Sequence, residues 1–405
     1  MKYLIIVPDG AADEPIEALG GKTPLEAAHI PHINALAKKG VVGNVTTVPE
    51  GMTPGSDVAN LSVMGYDPAR YHTGRSPLEA ASIGIDLAET DVAMRCNLIT
   101  LSGEGSYDDL IIQDHSSGDI TTEEADLLVQ ALNEKFANDK IHLYTGTSYR
   151  HALIIKEGET HYDLTPPHDV LGQRAGDNLP KGEGSEFLEK MMRESYELLS
   201  SHPVNLDRVA RGLNPANSMW VWGLGKKPSL SAFSEKYGLT GAAVSAVDLI
   251  KGIGICAGLD SIEVPGATGT LTSNFAGKAE AAIKVFESGK DFVYLHMEAP
   301  DECSHQGELD GKIKAMELID GKIVGPVVSW LQQSGEDFRI LVLPDHPTPL
   351  RIRTHASAPV PFLLYDSTDL QEDNDARTFS EPVGAAGPAF ASGWELADHF
   401  FKNAK

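Results

Sequence analysis

Two rhythms of apolar residues alternate along this chain. Short unbroken runs, such as Leu4-Ile5-Ile6-Val7, Val293-Tyr294-Leu295 and Ile340-Leu341-Val342-Leu343, read as strands buried on both faces. Longer stretches carry apolar residues three and four apart and read as helices. The clearest runs from Leu309 to Leu331, with Ile313, Met316, Ile319, Ile323 and Val327 on one face. On this basis Lys2 to Val7, Met219 to Trp222, Phe292 to Met297, Phe338 to Leu343 and Val360 to Tyr365 are strands. Helices are expected around Ile33, Leu36 and Ala37 up to Gly40, from Ser56 through Val58, Leu61 and Met64 to Gly65, and over Gly241 to Lys251, Gly277 to Phe286 and Trp394 to Phe401. This alternation predicts an α/β fold, a mostly parallel sheet flanked by helices on both faces.

From about residue 87 the texture changes. Short strands (Ala93 to Leu101, Leu110 to Ile112, Ile141 to Tyr144, Ala152 to Ile155) are separated by loops and by two helical runs, Thr122 to Phe136 and Ser185 to Leu199. A smaller α+β domain over 87–216 is expected, closing at the turn-forming Arg211-Gly212-Leu213-Asn214-Pro215. Residues 1–86 and 217–405 then make one discontinuous domain.

Composition narrows the classes of function. A chain of 405 residues with 41% hydrophobic and 22% charged residues is that of an ordinary globular protein. The formal net charge of −25 argues against nucleic acid, which needs clustered cations. A small phosphorylated ligand remains compatible where a few Arg and Lys converge. No apolar run approaches the roughly 18 residues that span a bilayer, so no membrane partner is expected. The opening Met1 to Gly10 is too short in its apolar part for a signal peptide, and a cytoplasmic protein is expected. Cys96, Cys256 and Cys303 lie far apart and form no zinc or disulfide pattern.

Three of the strands share a grammar in which an apolar run ends in a carboxylate: Val7-Pro8-Asp9, His296-Met297-Glu298-Ala299-Pro300-Asp301 and Leu343-Pro344-Asp345. In an open parallel sheet all carboxyl ends point to one edge, so Asp9, Asp301 and Asp345 converge there. Like charges gathered in this way need a cation. His305, His346 and His355 accompany them, and mixed Asp/His sets suit Mn²⁺, Zn²⁺ or Fe²⁺. Six such ligands suffice for two ions spaced for in-line phosphoryl displacement. Ser56, where a helix N-cap is expected with Asp57 in the first turn, is either a simple cap or an exposed nucleophile facing an anion-binding helix end. Ser62, inside the helix, is the weaker nucleophile.

Several segments then carry a family resemblance. They are Val7-Pro8-Asp9-Gly10, Thr53-Pro54-Gly55-Ser56-Asp57-Val58-Ala59-Asn60-Leu61-Ser62, Gly65-Tyr66-Asp67-Pro68, Val264-Pro265-Gly266-Ala267-Thr268-Gly269, Asp301-Glu302-Cys303-Ser304-His305 and Pro344-Asp345-His346. Together they resemble the archaeal-type cofactor-independent phosphoglycerate mutases of the alkaline-phosphatase superfamily, over nearly the whole chain. The resemblance implies interconversion of 3-phosphoglycerate and 2-phosphoglycerate through a phosphoserine, with two divalent ions and no bisphosphoglycerate. Mn²⁺ is the first expectation, with Zn²⁺, Co²⁺ or Mg²⁺ as alternatives. It also implies one ion on Asp9, Ser56, Asp345 and His346 and a second on Asp301, His305 and His355, leaving Cys303 to packing. The inserted 87–216 domain would be a substrate-binding cap. Its candidates are His115, as a phosphate or acid–base group, and Arg150 and Arg174, whose forks suit carboxylate and phosphate. Lys236 resembles the family's active-site lysine, with Lys226 and Lys227 as competitors. A related phosphotransferase acting on another acceptor, such as homoserine, or a phosphomonoesterase is the alternative; no Gly-x-x-x-x-Gly-Lys-Ser/Thr loop for ATP is present.

Overall fold

The structure, a computed structural model, describes residues 1–402. The chain opens with β1 (Lys2–Pro8) and β2 (Val41–Val45). Then come β3 (Val92–Ser102), β4 (Ile111–Asp114), β5 (Ile141–Thr147), β6 (Arg150–Ile155) and β7 (Ser218–Lys226). It continues through β8 (Gly241–Val244), β9 (Asp260–Ile262), β10 (Phe292–Met297), β11 (Phe338–Val342), β12 (Val360–Asp366) and β13 (Ala389–Phe390). Met1–His72 with Ser229–Lys405 form one compact unit and Thr73–Pro228 a second.

The first unit is built on an eight-stranded sheet in the order β13-β2-β12-β11-β1-β10-β8-β9. Its centre, β11-β1-β10-β8-β9, is parallel, and β12 runs antiparallel to both neighbours. Side chains alternate across this sheet. Leu4 and Ile6 of β1 and Val293, Leu295 and Met297 of β10 pack with the helices Pro31–Lys39, Phe275–Glu287 and Leu309–Ile319. Tyr3, Phe292 and Tyr294 belong to the other face, where Tyr3 meets Phe400 and Phe401, and Tyr294 Oη donates to Asn60 of the helix Ser56–Val63. Helices thus flank both faces, as the alternation predicts.

Two segments differ from expectation. Gly241 to Lys251 is not one helix: Gly241–Val244 is a strand paired in parallel with β10, and the helix runs Asp248–Cys256. Its first part, Gly241-Ala242-Ala243-Val244, is wholly apolar and too short for periodicity to separate a buried strand from a buried helix. The run Leu309 to Leu331 contains a π-helical turn, Asp320–Val324, between the helices Leu309–Ile319 and Gly325–Ser334. There Asp320 accepts from the backbone N–H groups of His32 (3.2 Å) and Ile33 (2.7 Å), capping the helix Pro31–Lys39.

In the second unit five antiparallel strands lie in the order β4-β3-β6-β5, with β7 also paired to β3. The helix Thr122–Phe136 is started by Thr121, whose hydroxyl accepts from Glu124 N, and it buries Ala125, Leu128, Val129 and Leu132 at helical spacing. The change of texture at 87 marks the approach to β3, and the positions 87 and 216 both fall inside this unit. It begins earlier because Glu79, on the helix Ser76–Ser82, pairs with Arg95 of β3 and Ser76 donates to the carbonyl of Gly223 in β7. No helix among the described residues is long and apolar enough to cross a membrane.

Buried His151 on β6 gives the second unit a pH dependence. Its Nδ1 accepts from Gly146 N at 3.2 Å, its Nε2 has no partner, and burial pushes the imidazole down to about 4. A histidine whose folded pKa lies below its unfolded value of about 6.5 contributes stability that is complete above that pH. The contribution fades as pH falls toward 4. His151→Gln should therefore flatten the loss of unfolding free energy between pH 7 and pH 5, measured in urea, by about 1–2 kcal/mol relative to the parent. Superimposable pH profiles would refute this.

Candidate active site

The carboxyl ends of β1, β10 and β11 lie side by side in the sheet; the loops after β1 and β11 carry Asp9 and Asp345, and the first turn of the helix Ala299–Gln306 after β10 carries Asp301. All three are buried, together with His346. Asp9, Asp345 and His346 offer ligand atoms within 4.8 Å of one another, and so do Asp301, His346 and His355. His346 therefore stands between two groups. Its Nε2 lies 3.6 Å from Asp9 Oδ1, 3.4 Å from Asp345 Oδ2 and 3.2 Å from Ser56 Oγ. His305 Nε2 is 3.1 Å from both Asp301 Oδ2 and His355 Nε2, and so joins the second group.

The tautomers can be reasoned out. His305 Nδ1 lies 2.9 Å from the carbonyl of Arg353, which only accepts, so Nδ1 carries the proton. Nε2 faces Asp301 and His355, and the bond to Asp301 raises this imidazole to about 9, so that nitrogen also carries a proton that a cation would displace. Thr348 Oγ1 spends its one hydrogen on Asp301 Oδ1 at 2.5 Å, so His346 Nδ1–H donates to Thr348 Oγ1 at 3.2 Å. The bare Nε2 of His346 then faces Asp9, Asp345 and Ser56. Imidazoles held with the distal N–H on a fixed acceptor are oriented as metal ligands are.

The electrostatics agree. Burial, then the charges of Asp345 and Asp301, push Asp9 well above the carboxylate range. Its Oδ1 is buried without a hydrogen-bond partner. Asp345 is held below its ordinary value: burial opposes ionisation, but His346 and the hydrogen bond with Asp9 outweigh it. Burial likewise works against Asp301, and the neighbouring imidazoles of His305 and His355 bring it below that range. An unpartnered carboxylate oxygen, converging carboxylates and the bare Nε2 of His346 form a donor set that fits divalent cations.

Ser56 is not the helix cap. Gly55 takes the N-cap position, with an extended backbone, and Ser56 is the first helical residue. Its hydroxyl is therefore not spent on a backbone amide and reaches His346 instead. Ser62 is fully buried inside the helix, and its hydroxyl has no partner.

A family profile described as "2,3-bisphosphoglycerate-independent phosphoglycerate mutase" matches residues 37–205. A protein of Geobacter sulfurreducens named "Probable 2,3-bisphosphoglycerate-independent phosphoglycerate mutase" is 47% identical over 398 residues, covering 98% of this chain and 99% of that protein. The chain belongs to the 2,3-bisphosphoglycerate-independent phosphoglycerate mutase family. A mutase of that name from Methanosarcina acetivorans is 49% identical over 384 residues, 94% of each chain. Among solved structures, the PH0037 protein from Pyrococcus horikoshii has a TM-score of 0.81 at 28% identity, covering 100% of this chain and 98% of that one. The cofactor-independent phosphoglycerate mutase from Thermoplasma acidophilum has a TM-score of 0.70 at 27% identity over the whole of both chains.

For this mutase-family chain, the structure brings together Asp9, Ser56, Asp301, His305, Asp345, His346 and His355. Lys236 does not join them. Its ammonium donates to the carbonyl of Gly65, Tyr237 Oη (2.8 Å) and Asp398 (3.2 Å). Gly65 lies beyond the far end of the eight-residue helix Ser56–Val63, about 12 Å from Ser56. In the second unit, the ring of His115 meets Tyr149 at 5.6 Å, and the guanidinium of Arg150 lies over the same Tyr149 at 4.8 Å. His115 also contacts His168, which packs on Trp222 beneath Arg95. Arg174 sits elsewhere: it pairs with Asp109 at 2.5 Å beside Ile111, at the start of β4, whereas His115 follows that strand's end.

Sequence reasoning missed the residues that orient the ligands. Asn60 donates to Asp345 Oδ2 at 2.7 Å, and Gly10 N and His346 N donate to Asp345 Oδ1. His296 Nε2 lies 3.1 Å from Asp9 Oδ2. The adjacency of Asn60 to Ser56 on one helix face, four residues on, was the one available signal.

Gly10 has φ +62°, and a Cβ there would stand 2.4 Å from Asp301 Oδ1 and 2.6 Å from Thr348 Oγ1. Gly10→Ala must adopt a left-handed conformation costing about 1–2 kcal/mol and push these groups aside. We expect a lowered melting midpoint and at least tenfold weaker Mn²⁺ binding by calorimetry. Unchanged values in both would show that the close approach is not required.

Proposed function

We propose that this chain is a divalent-metal-dependent mutase that interconverts 3-phosphoglycerate and 2-phosphoglycerate by way of a phosphoserine at Ser56. The observation that carries this reading is the Ser56 hydroxyl, 3.2 Å from His346 Nε2 beside Asp9 and Asp345, at the start of a helix it does not cap. A site that only bound metal would need no such hydroxyl. Asp9, Asp345 and His346 hold one ion beside Ser56, while Asp301, His305 and His355 hold the other. Mn²⁺ is our first choice. Bound there, the ions supply positive charge that lowers the serine pKa and offsets charge on the transferred phosphoryl group.

The chain's own residues account for the rest. Ser56 gives up its hydroxyl proton, and its Oγ forms a bond to phosphorus as the substrate's P–O ester bond breaks. The departing glycerate oxygen takes up a proton. The first-turn amides of the helix favour the anionic ester that results. Turned end for end, the glycerate presents its other hydroxyl, which takes the phosphoryl group back and restores Ser56. No bisphosphoglycerate enters this cycle.

The second unit, in this reading, is the cap that retains glycerate between the two transfers. Arg150 suits the role, being exposed and paired with no carboxylate among the described residues, with His115 against the same tyrosine. Arg174, tied to Asp109, must first exchange that partner.

Ser56→Ala should lose at least a thousandfold in mutase activity while keeping its Mn²⁺ titration, and labelled substrate should mark Ser56 in the parent. Label on another residue, or retained activity, would overturn the assignment. A substrate panel with Mn²⁺, comprising both glycerate phosphates, homoserine with ATP, and an aryl phosphate, separates a mutase from a kinase or phosphatase on the same site.

A further inference from the structure

Lys312, on the helix Leu309–Ile319, is completely buried although it carries an ammonium group. It donates to Asp13 Oδ2 at 2.8 Å, to the Thr348 carbonyl at 3.0 Å and to the Ala12 carbonyl at 3.3 Å. These partners belong to two loops. Ala12 and Asp13 follow Asp9, at the end of β1; Thr348 follows Asp345 and His346, beyond β11. The loops are laced further, with Thr348 N donating to Ala12 O (3.2 Å) and Leu350 N to Asp13 Oδ2 (3.2 Å). From the other side Glu381 accepts from Asp13 N at 3.0 Å and from Thr23 Oγ1 at 2.6 Å.

Thr348 connects this junction to the ligands. Its carbonyl is held by Lys312, while its hydroxyl donates to Asp301 and accepts from His346. One residue therefore touches a ligand from each of the two ligand groups. A buried ion pair is seldom a net gain over apolar side chains of the same volume, so stability alone does not account for Lys312.

We propose that Lys312 and Thr348 are positioning residues that set the spacing between the two ligand groups. Lys312 fixes the loop of Asp345, His346 and Thr348 against the loop of Asp9, and Thr348 fixes the tautomer of His346 and the rotation of Asp301. The inference rests on the two-ion reading above.

The test uses the full chain stripped of metal and titrated with Mn²⁺, followed by calorimetry and by low-temperature electron paramagnetic resonance, which reports the coupling between two nearby Mn²⁺ ions. Lys312→Met leaves Asp13 charged and buried, so D13N/K312M is made alongside, since Asn keeps an acceptor for Leu350 N. The folded double variant should bind Mn²⁺ 10–100-fold more weakly and show a weakened coupled-pair signal, the usual range for losing an outer-sphere partner. Thr348→Val should do the same, and Thr348→Ser should restore both readouts. A folded double variant, or Thr348→Val, with parental affinity and parental coupling would overturn the proposal while leaving the two-ion reading intact. A parent that binds no Mn²⁺ would overturn both.

Discussion

The molecule is organised around the repulsion among three carboxylates that the sheet forces together. Asp9, Asp301 and Asp345 follow strands that are neighbours in a parallel arrangement, so the segments that carry them have no choice of edge. Burial raises the cost of every negative charge placed there. The surrounding structure answers by aiming donors at Asp345, from Gly10, His346 and Asn60, while leaving one oxygen of Asp9 bare. That asymmetry is what a cation-binding site requires: ligand atoms fixed in place but not already satisfied.

Rigidity at this edge comes from close backbone approach. Gly10 lies so near Asp301 and Thr348 that no side chain fits. The helix beginning at Ser56 is anchored through Asn60, which bonds at once to Asp345, to the carbonyl of Ser56 and to Tyr294. Ser56 is thus referenced to the carboxylate cluster through a single amide side chain. This limits how far Ser56 can drift from His346.

The parallel strands and their terminal acids were legible because both are local: an apolar run ending in Asp needs no knowledge of the rest of the chain. Gly241–Val244 was not legible, since an all-apolar stretch has no period to read. Asn60, His296, Thr348 and Lys312 act through partners that are mostly distant in sequence, and nothing in their own neighbourhoods marks them. The basic candidates show the opposite limit. Lys236 and Arg174 look free in a sequence, yet in the fold each meets an acid that no spacing rule predicts, Asp398 and Asp109 respectively. Arg150, which meets no such acid among the described residues, keeps its charge available.

The π-helical turn at Asp320–Val324 bears on how this family could tolerate length changes. Each residue of an α-helix advances its side chains by about 100° around the axis. The widened turn therefore sets the angular phase of Gly325–Ser334 relative to Leu309–Ile319. The widened turn holds one residue more than an α-helical turn, so deleting one residue within it would leave an ordinary helix with Val327, Val328 and Leu331 still on the core they fill and Asp320 still at the end of the helix Pro31–Lys39. Loops elsewhere can lengthen by single residues. Here the extra residue of the widened turn is itself the slack, and its loss would be absorbed in the turn rather than in the core.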